Sequence, residues 1–220
     1  MVKEEVVLVN FWSSPFGSKV KIALEEKGIP YEYKEEDLLN KSSFLKTINP
    51  VYGKVPVLIH NNNSICESLN IIEYINEVWS DRSPSFFPSD PHERAQARFW
   101  ADFINKELYE ASKKIYRCTG EEQVSGKKEV LRILKLVEGQ LGDKTFFGGD
   151  NLGIVDITLI PFYSRFYTWE TFGKFSIEEE CPNLVAWAKR CSQKESVVKS
   201  LPDPIKMYEF ILYLNKHLAK

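Results

Sequence analysis

Three short stretches in the first seventy residues bring hydroxyls, cations and a carboxylate to places where a small polar ligand can be held. The first is Ser13-Ser14-Pro15-Phe16. Serine before proline is a helix-start signal, with Ser14 as the cap and Pro15 at the first helical position. A helix start carries unpaired N–H groups and a partial positive charge, so an anion is stabilised there, and a hydroxyl at that spot can donate to a thiolate or an oxyanion. The second is Lys54-Val55-Pro56. Proline lacks a ladder donor, which points to a strand start at a sheet edge. In the cis form this step would turn the Val55 N–H and C=O outward, ready to pair with a peptide-like ligand as an added strand. The third is Glu67-Ser68, where a helix-start serine can bind a carboxylate and the Glu67 side chain can hold an ammonium. Each serine also reads as an ordinary cap, and the local sequence leaves both readings open.

The elements around these stretches decide whether they meet. Val6 to Val9 is an apolar run that reads as a strand, and Val20, Ile22, Ala23 and Leu24 give the next helix its apolar face before Gly28 and Pro30 end it. Tyr31 to Lys34 reads as a second strand, parallel to the first because a helix joins them. A short helical piece over 42–48, a third strand over 56–59, a turn at Asn61-Asn62-Asn63 and a fourth strand over 64–66 follow. A helix beginning at Glu67-Ser68 closes the order βαβαββα, a small mixed sheet with helices on both faces. Helices that follow strands in such a sheet open at one edge, so Ser14, Val55 and Glu67-Ser68 are expected to line one groove. A γ-glutamyl peptide with a thiol carries the groups such a groove would bind.

The remainder has a different grammar. Pro84, Pro88 and Pro91 among serines and aspartates predict a linker. Helical spacing then persists through Phe99, Phe103, Leu108 and Ile115 and through Val130, Leu134, Val137 and Leu141, while 154–162 is apolar nearly all round and reads as a buried helix. Later helices are expected over 183–193 and 205–218. The expected fold class is therefore α/β followed by all-α: a domain over 1–82, a linker over 83–92 and an all-helical domain over 93–220.

Composition narrows the class. Lys and Arg number 29 against 31 Asp and Glu, so no global field draws in nucleic acid or an acidic membrane. The longest apolar run includes Asp156 and falls far short of a bilayer span. The first residues carry acids where a secretory signal needs a basic start, so a cytoplasmic location is expected. Four cysteines at 66, 118, 181 and 191 lack metal or redox spacing, the histidines at 60, 92 and 217 are isolated, and no metal is expected.

Five strings carry a resemblance across essentially the whole chain: Phe11 to Gly17 (FWSSPFG), Lys54 to Leu58 (KVPVL), Ile65 to Leu69 (ICESL), Arg98 to Asp102 (RFWAD) and Phe147 to Asn151 (FGGDN). The sequence resembles the glutathione transferases, and the SPFG and RFWAD strings resemble those of the plant tau class. The resemblance implies a thioredoxin-like first domain, glutathione as co-substrate and a homodimer. It implies that Ser14 faces the glutathione sulfur, that Lys41, Lys54, Val55, Pro56, Glu67 and Ser68 bind the tripeptide, and that Pro56 is cis. A pocket for hydrophobic electrophiles is expected between the domains, with Phe16 and Leu38 from the first and Tyr109, Lys113, Tyr116, Arg165, Trp169, Phe210 and Leu214 from the second.

Serine rather than cysteine at position 14 implies thiolate transfer, with minor glutathione peroxidase activity and little reductase chemistry, because a serine forms no mixed disulfide. Cys66, between apolar neighbours, is expected to be buried and inert. Arg165 and Gly153 depart from the class pattern, where an aromatic and a hydroxyl cap are common; Asp156 is expected to serve folding rather than catalysis. The alternative function is a non-catalytic ligandin carrying apolar or anionic metabolites.

Overall fold

The computed structural model describes residues 4–37 and 39–218, and the chain divides into two compact units, Met1–Ser85 and Phe86–Lys220. In the first, strands β1 (Val6–Asn10), β2 (Glu32–Glu35), β3 (Val57–His60) and β4 (Asn63–Cys66) form one sheet in the order β2-β1-β3-β4. β1 pairs parallel with β2, and β3 runs antiparallel to both β1 and β4. Helices α1 (Pro15–Glu26), α2 (Ser43–Ile48) and α3 (Ser68–Val78) complete the βαβαββα order.

Strand alternation sorts the core into two layers. Val7, Val9 and Val57 pack against Leu45, Phe44 and Ile48 of α2, while Leu8 and Leu58, fully buried, point to the opposite face, where α1 and α3 pack on each other. The exposed β2 edge carries Glu32, Lys34 and Glu35, charges that discourage pairing with another chain. Asn61 and Asn62 take left-handed φ values of 48° and 65°, as a tight hairpin between β3 and β4 requires. One expectation changes: β3 is an interior strand, and Pro56 sits just before its first ladder residue rather than at a sheet edge. There its missing N–H costs the sheet nothing.

The second unit is helical: α4 (Pro91–Arg117), α5 (Gly120–Leu141), α6 (Ile154–Leu159), a 3-10 segment (Ile160–Arg165), α7 (Phe166–Gly173), α8 (Ile177–Glu180), α9 (Pro182–Cys191), α10 (Glu195–Ser200) and α11 (Pro204–Leu218). Asp90 caps α4 by accepting from the Glu93 N–H at 2.9 Å, so Pro91 and His92, read from sequence as linker, are its first residues. The expected 154–162 helix breaks at Ile160, because Pro161 lacks an N–H and disfavours helical geometry in the residue before it. α8 and α10 are too short to leave a periodic signal.

Asp156, completely buried, fixes this unit locally. Its carboxylate accepts from the Gly153 N–H at 2.8 Å, the Phe147 and Gly148 N–H groups at 2.9 Å and the Trp187 indole at 2.8 Å. Burial raises its pKa while these four donors oppose the rise. Gly148 is required here: a Cβ would fall 2.5 Å from the Asn151 carbonyl oxygen. Asp156 thus stitches the 146–153 loop to α6 and α9, a folding role as its sequence context suggested. No helix among the described residues is long and apolar enough to cross a membrane.

Candidate functional site

Register, rather than any single motif, assembles the site in the first unit. Val9 lies opposite Val57, and Val57 opposite Cys66. The exit of β1, the entry of β3 and the exit of β4 therefore share one edge of the sheet. Since β2 is parallel to β1, its exit toward Lys41 lies there too. Ser14, Val55-Pro56, Glu67-Ser68 and Lys41 are brought together, spread over strands about 4.8 Å apart.

Ser14 caps α1: its Oγ accepts from the Gly17 N–H at 3.2 Å, and the residue is 8% exposed. Cap and functional hydroxyl are compatible, because an oxygen that accepts one N–H still has its own proton to donate. Gly17 permits this turn, since a Cβ there would collide with the Asn10 side chain at 1.7 Å. Asn10 is itself buried at the end of β1, so the strand end and the helix start are keyed to one another.

Lys19, one turn further along α1, is fully buried, with its Nζ 4.8 Å from the Phe16 ring centroid. Burial lowers its pKa to about 7.

The loop before β3 is organised by Asn49, a residue its sequence context did not single out. Buried at 3% exposure, it donates from Nδ2 to the Lys54 carbonyl at 2.9 Å and accepts from the Tyr52 N–H at 3.2 Å. The Val55-Pro56 bond is cis. Lys41 Nζ donates to the Gly53 carbonyl at 3.0 Å, and Lys54 Nζ lies 5.6 Å from the Tyr52 ring centroid; both lysines are exposed. Glu36, also buried, holds the neighbouring loop by accepting from the Ser42 N–H and Oγ at 2.7 and 2.8 Å. Asn49 and Glu36 left no sequence signal because an Asn-Pro or an acid after a strand is common in any loop.

Glu67 adopts φ 69°, ψ 119°, a strained conformation for a residue with a Cβ. The turn places its carboxylate in solvent while Ser68, 4% exposed, opens α3. α1 and α3 thus present two positive helix termini on the edge where the exposed Glu67 supplies one negative charge. Cys66 is half-buried rather than buried; its thiol leans on the Ile48 carbonyl at 3.8 Å, and burial raises its pKa, leaving it a poor nucleophile.

Two family models match the chain: the glutathione S-transferase N-terminal domain over residues 4–77 and the C-terminal domain over 93–190. The chain belongs to the glutathione S-transferase family. It is 55% identical to glutathione S-transferase U25 of Arabidopsis thaliana, with 98% of this chain and 97% of the relative covered. Among solved structures it is similar to rice GST1 in complex with glutathione, at 44% identity, TM-score 0.94 and 98% coverage of both chains. A Tau class glutathione S-transferase from mango (Mangifera indica) matches at 38% identity and TM-score 0.90, covering 96% of this chain and 98% of that one. Within the glutathione S-transferases, the tau class is the one this chain joins.

In this transferase the helical unit gathers the remaining candidates on α4, α7 and α11, which pack on one another. Tyr109, Lys113 and Tyr116 follow one stripe of α4, and Phe210 and Leu214 share a stripe of α11, all but Tyr116 half-buried. Arg165, 4% exposed, ends the 3-10 segment one turn before Trp169, which is completely buried against Phe162 and Phe166. Phe16 is half-buried in the first unit, and Leu38 lies outside the described residues.

Proposed function

We propose that this transferase joins the thiolate of glutathione to hydrophobic electrophiles, with the 1–82 region holding glutathione and the 93–220 region shaping the co-substrate site. The observation that carries this reading is Ser14 at the start of α1, its oxygen already engaged by the Gly17 N–H so that its proton is left to donate. A free thiol has a pKa of about 8.5 and is mostly protonated at neutral pH. Lowering it by about 2 would ionise most of the bound thiol, which requires about 2.7 kcal/mol of preferential stabilisation of the anion. The Ser14 proton and the α1 terminus are suited to supply it. Glu67 would hold the ammonium and Ser68 with the α3 terminus the carboxylate of the γ-glutamyl end; Val55 would pair with the peptide backbone, and Lys41 and Lys54 would meet the other carboxylate.

A homodimer is part of the proposal, supported by apolar side chains left in water: Val51 at 77%, Tyr52 at 58% and Phe99 at 59% exposure. A cytoplasmic location is supported by four cysteines that all stand as free thiols. Detoxification is the general role this chemistry serves.

The test is the initial rate with 1-chloro-2,4-dinitrobenzene and glutathione, wild type beside Ser14→Ala. The expected loss is about 10²- to 10³-fold, the usual effect of removing one donor to a reacting anion, with glutathione still bound. Equal rates would move the role to Ser13. A negligible wild-type rate with tight binding of apolar ligands would instead make the protein a carrier.

A further inference from the structure

The helical unit concentrates positive charge and hydrogen-bond donors where a site for neutral hydrophobic compounds needs neither. Two cations address one ring: the Arg165 guanidinium lies 5.9 Å and the Lys113 ammonium 5.2 Å from the Tyr109 centroid. Like charges directed at one aromatic repel unless an anion or water separates them. Lys113 also pairs with Glu110 at 2.6 Å, but Glu110 is 65% exposed, so that pair holds the lysine only weakly. Arg165 differs, being buried. A guanidinium carries five N–H donors in a rigid fork, enough to serve a protein acceptor and a ligand carboxylate together.

Two further donors lie on α4 and on α7, the helix that follows Arg165. Tyr116, one turn along α4 from Lys113, is 5% exposed. Burial holds its pKa up near 12, even though Arg165 pulls the other way, so its hydroxyl keeps a proton to donate. Trp169, one turn along from Arg165, is completely buried, and its indole N–H has no hydrogen-bond partner among the described residues. A buried donor left unsatisfied is costly. Arg165 and Tyr109 both act electrostatically on Tyr116, so these three groups and Lys113 lie together, and α4 packs directly on α7, which carries Trp169.

We propose that Arg165, with Lys113, Tyr116 and the Trp169 N–H, forms a subsite for the carboxylate of an aryl co-substrate, so that the enzyme prefers acidic electrophiles to neutral ones of the same shape. This inference rests on the transferase reading above and names the substrate class of that same site. In the reaction the glutathione sulfur bonds to the ring carbon and chloride departs with its electron pair; the carboxylate takes no part and serves only to seat the ring.

The experiment compares 4-chloro-3-nitrobenzoate with 4-chloro-3-nitrobenzamide, measuring kcat/KM for each relative to its uncatalysed rate. Wild type is expected to favour the benzoate by about tenfold or more, the usual worth of a charge-assisted hydrogen bond. Arg165→Met should lower the benzoate-to-benzamide ratio by about tenfold, Arg165→Lys should restore part of it, and Lys113→Gln should lower it by a smaller factor. A ratio unchanged in Arg165→Met overturns the proposal. Should that buried substitution prevent folding, an unchanged ratio in Lys113→Gln together with no wild-type preference for the benzoate overturns it equally. Quenching of tryptophan fluorescence by the two compounds separates the two readings: benzoate binding without turnover of either compound sinks the transferase reading alone, while turnover of both with no preference in binding or rate sinks the subsite alone.

Discussion

The two units build their candidate sites from different materials. In the first, the groups that matter hang from strand ends and helix starts: the Ser14 cap, the Val55 backbone, the strained Glu67 and the α3 terminus. Strand register positions them, and several of the side chains are exposed. In the second, the candidates are side chains of α4, α7, α11 and the 3-10 segment before α7, with Arg165 and Trp169 buried. A site made of backbone ends is fixed by topology and suits one constant ligand. A site made of side chains changes with each substitution and suits a variable co-substrate.

That contrast is broken most directly at Asp156, the one buried carboxylate on which a loop and two helices of the second unit depend. Asp156→Ala leaves four donors without an acceptor and should destabilise the protein by about 3–5 kcal/mol. Chemical denaturation reads this, and a loss under about 1 kcal/mol would show that water replaces the carboxylate at little cost.

Lys19 sharpens it from the other side, as a buried charge in the first unit. Its folded pKa, near 7, lies below that of the unfolded chain, so the unfolded chain binds more protons between about pH 7 and 10. This group therefore costs stability at low pH, and the cost fades as pH rises through that window. Lys19→Met should be more stable than wild type by a few kcal/mol at pH 6, with the difference shrinking toward pH 10. Denaturant midpoints at the two pH values check this, and a pH-independent difference would mean that Lys19 stays charged throughout.

Glu67→Gln is the smallest effect and tests the surface character of the first site. Losing one charge-assisted contact to an ammonium should raise the KM for glutathione about tenfold while kcat falls less. A drop in kcat with unchanged KM would assign Glu67 to the reaction rather than to binding.

How much of this was legible in the chain depends on the distance over which each feature is decided. Ser14-Pro15, Asn61-Asn62-Asn63 and Gly28 declare their roles through local backbone preferences, and the structure has the cap, the hairpin and the helix end at those positions. The Ile160 break and the Asp90 cap depend on prolines present in the sequence, but local patterning favoured a continuous helix and a linker there. Asn10, Asn49 and Glu36 were silent, because their importance lies in what they touch.

The sequence by itself determined the βαβαββα order of the first unit, the starts of α1 and α3 and the family, since these rest on capping chemistry, hydrophobic period and short contiguous strings. Only the tertiary structure decided that Val9, Val57 and Cys66 share a register, which sets Ser14 beside Val55 and Glu67 at one sheet edge. It alone aimed Lys113 and Arg165, 52 residues apart in the chain, at the same tyrosine ring. The physical reason is that caps and turns are settled within four or five residues, whereas a charge is buried, or two cations are made to converge, only when distant elements pack.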